Sequence, residues 1–142
     1  MEGLGRLFNV APIASGVAIS LKEASAVTFV CTGSDTFSLT VATSFGGTYR
    51  AGSFFTPAWT PIDHFYTAAA TNGTAVWTKS TITAADNTGS VTNTVAVTLN
   101  ATALPDTYTY VKCTAGGAGL VAAILHDLEI QRSPIRLAKI SA

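Results

Sequence analysis

Two histidines, His64 and His126, are the side chains of this sequence best suited to proton transfer, and each has a carboxylate beside it in sequence, Asp63 and Asp127. A histidine acting as general base needs a partner on its second ring nitrogen. Neighbouring residues of a strand point to opposite faces, so neither His–Asp pair is expected to make that hydrogen bond if both lie in strands. The remaining catalytic arrangement is a dyad assembled between the two segments. No nucleophile elbow, glycine-rich phosphate loop or zinc-type Cys/His spacing accompanies the histidines. The carboxylates are scattered singly, which gives no calcium loop. The expectation is a protein that is not an enzyme and uses no metal or cofactor.

Cys31 and Cys113 sit inside expected strands and not at a motif spacing. They read as small buried hydrophobes in preference to a bridge. Asn72-Gly73-Thr74 and Asn100-Ala101-Thr102 satisfy the glycosylation pattern, but the first is better explained as a turn. From Arg132 to Ala142 the tail holds Arg132, Arg136 and Lys139 and no acid. These three cations suit an acidic neighbour, with Ile135, Leu137 and Ile140 adding apolar contact; an ordinary solvated tail is the equal alternative.

The elements that carry these residues read as strands. Gly119–Arg132 places Leu120, Ala122, Ile124, His126, Leu128 and Ile130 on one side at period two, with the other side turning polar from Asp127 onward. A helix is the rival, since Leu120, Ile124 and Leu128 also fall at four-residue spacing. Val17–Leu21 is a short strand, and Val27–Thr43 reads as a hairpin turning at Gly33-Ser34-Asp35. Ile62–Ala70 suits a short helix or a strand, and Asn72-Gly73 predicts a hairpin into Ala75–Ile82. Val91–Leu99 and Tyr108–Thr114 are further strands, separated by one helical turn capped by Asn100.

Short strands at regular intervals, with turn residues between them, predict an all-β fold. It should be a mainly antiparallel β-sandwich or barrel-like domain over residues 17–132, with at most one or two short helical turns. Residues 1–16 read as an N-terminal arm and residues 133–142 as a C-terminal tail. Residues 44–61 break the pattern with glycines, prolines and aromatics. Tyr49, Phe54, Phe55 and Trp59 in this insert either form an exposed recognition loop or fold back onto an open sheet face, the reading preferred.

At 142 residues a single domain hides about two-thirds of the surface its unfolded chain exposes, enough for a core without metals or disulfides. Eight basic residues balance eight acidic ones, and charged residues make up only 11% of the chain. That excludes the broad basic field of a nucleic-acid binder and favours self-association. Glu2 and Arg6 precede a short apolar patch broken by Asn9 and Pro12, a poor secretory signal. No run approaches the ~18 apolar residues of a membrane span.

The ordered set Ile19-Ser20-Leu21-Lys22, Ala26–Val30, Asp35–Thr40, Trp77-Thr78-Lys79, Ala103–Asp106 leading into Tyr110-Val111-Lys112, and Ile124–Pro134 resembles a group of small proteins. These are encoded beside the major capsid protein of tailed bacteriophages, particularly those of actinobacterial hosts. The resemblance spans about residues 17–134; the 44–61 insert departs from it. It implies a virion structural protein that is made in the host cytoplasm and decorates or cements the outer capsid surface. Its partners would be the major capsid protein and other copies of itself, with no nucleic acid and no membrane. Docking would use one sheet face and the terminal arms, with Leu4, Leu7, Phe8, Arg132, Ile135, Arg136, Leu137 and Lys139 as contacts. The alternatives are a phage tail or fibre component, and a glycan- or protein-binding module that uses the aromatic loop.

Overall fold

Period-two alternation becomes period-two burial. In β3 (Ala24–Thr32) Val27, Phe29 and Cys31 are fully buried while Thr28, Val30 and Thr32 are only partly covered. The same alternation runs through β4 (Thr36–Ala42), β8 (Thr94–Asn100) and β9 (Tyr110–Ala115). The computed structural model describes residues 8–33, 36–70, 74–82, 87–90, 93–117 and 120–128. The other strands are β1 (Phe8–Ile13), β2 (Ala18–Ser20), β5 (His64–Ala68), β6 (Thr78–Thr81), β7 (Thr88–Ser90) and β10 (Leu120–Leu128). Two 3-10 turns, Gly52–Phe54 and Ala101–Ala103, are the helical elements among the described residues.

The strands form two antiparallel sheets ordered β1-β10-β3-β8-β5-β6 and β2-β9-β4-β7, and neither closes into a barrel. The core lies between them. The larger sheet contributes Val27, Phe29, Val95, Val97, Leu99, Val121 and Leu125; the smaller contributes Ile19, Phe37, Leu39, Val41 and Val111. The all-β sandwich expectation therefore holds.

The expected Val27–Thr43 hairpin does not form. β3 pairs with β10 and β8, whereas β4 pairs with β9 and β7 in the other sheet. Gly33, at φ +69°, stands where the chain leaves β3 to cross the core. Alternation tells each strand which face to bury and leaves its neighbours unspecified. The hairpin expected at Asn72-Gly73 does form: β5 and β6 pair from His64 opposite Thr81 to Thr67 opposite Thr78. Its connection spans residues 69–77, longer than a two-residue turn, and residues 71–73 lie outside the described set. The rival helices at 62–70 and 119–132 are replaced by β5 and β10, because both segments bury alternate residues against the opposing sheet. A 3-10 turn follows Asn100, but the Asn100 side chain makes no capping bond; the Leu104 N–H closes the turn onto the Ala101 carbonyl at 3.1 Å. Within the 1–16 stretch read as an arm, Phe8–Ile13 is β1, laddered onto β10 with Phe8 opposite His126 and Ile13 opposite Val121.

Gly89 on β7 sits where the two sheets lean together. Phe37 of β4 and Phe65 of β5 meet edge to face there, with ring centroids 5.0 Å apart. A Cβ at position 89 would stand 2.6 Å from Phe37 Cε1 and 2.7 Å from Phe65 Cζ, and both rings are locked in the core. Gly89→Ala is therefore expected to lose about 1–3 kcal/mol through overpacking, read as a lower urea midpoint. Adding Phe37→Leu should restore part of the loss, a coupling expected of touching residues. A Gly89→Ala midpoint equal to wild type would show that the rings have room to move.

Candidate functional site

The larger sheet turns a broad, charge-poor face away from the core. One row crosses all six strands as Pro12, Ala122, Val30, Ala96, Tyr66 and Lys79; the next runs Val10, Ile124, Thr28 and Thr98. Leu120 is 77% exposed and Val10 52% exposed, while Val30, Ala122, Ile124 and Ala96 are half-buried. Apart from the two histidines, Lys79 is the charged side chain that alternation puts on this face among the described residues.

Both histidines lie on this face. Thr98 Oγ1 and Thr28 Oγ1 are 2.8 Å apart, and Thr28 Oγ1 is 2.7 Å from His126 Nε2, so one polar chain links β8, β3 and β10. Asp127 points the other way and accepts a 3.0 Å hydrogen bond from Ser25, as expected for strand neighbours. The expectation fails for the other pair: the Nδ1–H of His64 donates to Asp63 Oδ1 at 2.6 Å. Asp63 precedes β5, so the pleat that would separate the two side chains does not reach it. That bond is the main cause holding the Asp63 carboxyl below its ordinary range, helped by its own backbone N–H and more weakly by Lys79. Beside the pair is a small cavity of about 260 Å³ walled by Ile62, Tyr66, Ala96, Thr98 and Asn100. Thr28 thus shares its hydroxyl between Thr98 and His126, and the carboxylate beside His126 is engaged elsewhere. The described geometry is a cross-strand polar ladder set into an apolar face.

The 44–61 insert folds onto the smaller sheet and the sandwich end. Arg50 and Val41 exchange backbone hydrogen bonds, anchoring the insert to β4. Tyr49 is half-buried under the Lys112 ammonium, 3.7 Å from the ring centroid, and partial burial pushes its phenol pKa up. Phe54 is 54% exposed beneath the Arg50 guanidinium. Phe55 packs edge to face on Tyr108 and Trp59. Trp59 is only 8% exposed and belongs to the core; its Nε1–H donates to the Ala103 carbonyl at 2.6 Å. Fully buried Asn87, at φ +52°, donates from Nδ2 to the Trp59 carbonyl at 3.1 Å. The four rings therefore do not share one open platform.

Leu4, Leu7, Arg132, Ile135, Arg136, Leu137 and Lys139 lie outside the described residues, and Phe8 is described in its backbone alone. Their points of attachment are nevertheless defined. Phe8 opens β1 and faces His126, two residues before the end of β10 at Leu128, so segments 1–7 and 129–142 join the fold at one corner of the larger sheet. Neither the Asp63–His64 bond nor the Thr98–Thr28–His126 chain is legible in the sequence. The former depended on where β5 starts and the latter on which strands are neighbours.

The fold and this face define an open two-sheet antiparallel sandwich whose larger sheet carries an apolar and hydroxyl surface that the described residues leave uncovered. No protein-family model matches the chain, and no curated protein matches it. Among solved structures it is similar to the SPBc2 prophage-derived protein YomS, at 9% sequence identity and a TM-score of 0.43, over 83% of this chain and 91% of that one.

Proposed function

We propose that this chain is a virion structural protein that decorates the outside of a tailed-phage head by binding the major capsid protein. The observation that supports it is the six-strand face whose central row runs from Pro12 to Tyr66 without a charge, with both terminal segments attached at its β1–β10 corner. A lattice protein must bind in many copies by shape and apolar contact, and a surface with few charges lowers the desolvation cost of doing so. The basic, apolar tail residues then reach a neighbouring subunit from that corner. Contact that spans only the mature arrangement of capsomers stabilises the shell, because it binds that state in preference to others.

The test is co-sedimentation of the recombinant chain with empty heads from the same phage, followed by copy counting. Saturation at a fixed ratio to the major capsid protein is the expected result. Removing residues 1–7 together with 133–142 leaves every described strand intact and should abolish binding without lowering the melting temperature. Folded wild-type chain that fails to sediment with heads would overturn the proposal, and its presence in a tail fraction would move the protein to the tail.

A further inference from the structure

Among the described residues the two sheets share no ladder, yet their strands β3 and β9 bring the chain's only two cysteines together. Cys31 projects from the larger sheet and Cys113 from the smaller; both are 0% exposed, and their sulfurs are 3.7 Å apart. Both are free thiols, and they are 82 residues apart in sequence. Both belong to the apolar core cluster between the sheets. We infer that Cys31 and Cys113 are a modification site: an inter-sheet disulfide that closes across the core and locks the sandwich, with a low-molecular-weight disulfide as oxidant.

The geometry requires a short movement. An S–S bond is about 2.05 Å long, so the sulfurs must approach by about 1.7 Å, a distance to be covered by side-chain rotation and a small adjustment of the sheets. Bridges between facing strands of a sandwich are an established way of joining two sheets. In the opened or folding chain one cysteine thiolate attacks one sulfur of the oxidant and releases one equivalent of reduced thiol. The other cysteine then gives up its proton, attacks the protein sulfur of the mixed disulfide and releases the second equivalent. The protein loses two hydrogens and two electrons, and the oxidant is reduced to two thiols.

Because both sulfurs are buried, reaction belongs to the opened or folding chain; the closed native core should oxidise slowly. Closure needs no other protein, so the isolated chain suffices for the test. The reduced full-length chain is unfolded in urea and refolded by dilution into oxidised glutathione. After quenching, intact mass and thiol content under denaturing conditions are measured. The expected product is a monomer about 2 Da lighter, with no reactive thiol, that melts roughly 5–15 °C above the reduced chain and returns to its midpoint on reduction. Cys113→Ser treated in the same way should instead keep a free thiol or carry one glutathione. Two titratable thiols in refolded wild-type protein, cross-linked dimers as the main oxidised species, or an oxidised monomer melting below the reduced one would each overturn the inference.

Discussion

Trp59→Ala is expected to destabilise the fold by about 3–5 kcal/mol, a large share of the 5–15 kcal/mol that holds a typical domain together. The indole is in the core cluster and packs edge to face on Phe55. Truncation leaves a cavity and deprives the Ala103 carbonyl of its Nε1–H donor. Trp59→Phe keeps most of the packing and loses that hydrogen bond, so about 1–2 kcal/mol is expected from it. Phe54→Ala, on an exposed ring in the same insert, should cost under about 1 kcal/mol. Urea denaturation of the three variants supplies the comparison. The order Trp59→Ala, Trp59→Phe, Phe54→Ala would identify the insert as packed structure with one open ring. A Trp59→Ala chain as stable as wild type would instead place the indole on a recognition surface.

That contrast shows what the sequence could and could not say. Threonine and valine alternation in β3, β4 and β8 marked strands and their buried faces, because burial on one side of a pleat leaves a period of two in the residues. Sheet membership left no such mark. β3 and β4 each carry an apolar stripe and are joined by a short link, as a hairpin would be, yet they sit on opposite sides of the core. Partner choice is a long-range outcome: Val27 is opposite Leu125 on one side and Leu99 on the other. The Cys31–Cys113 contact was hidden for the same reason. Each cysteine could be assigned an inward position, but which inward residue it would meet depended on how the sheets stack. The Asp63–His64 bond is a local case: one residue beyond a strand end, the rule that separates neighbours no longer applies. The insert was legible as irregular, while the burial of Trp59 depended on Ala103 and Asn87, which lie 44 and 28 residues away from it.

On the proposed function, charging the outer face of the larger sheet should weaken head binding strongly. Val30 lies in the middle of the six-strand row, and Ile124 lies in the adjoining row beside Val10 and Thr28. In the variant Val30→Lys with Ile124→Lys, both ammonium groups can reach water in the free chain, because these side chains are only half-buried. Loss of β-branched packing should cost the monomer about 1 kcal/mol. Against a capsid subunit the two charges would lose their water without gaining a partner. An unpaired buried charge typically costs 3–5 kcal/mol, so binding should weaken by at least about 100-fold, at 1.4 kcal/mol for each tenfold. Ser38→Lys, which faces outward from β4 on the smaller sheet, serves as the control and should bind as wild type does. Equal loss in both variants would point to a general charge effect on a positively charged or crowded lattice. Unchanged binding by the folded double variant would exclude this face as the contact and leave the terminal segments as the means of attachment. A selective loss in the double variant would fix the orientation of the sandwich: the larger sheet toward the shell and the aromatic insert on the smaller sheet directed away from it.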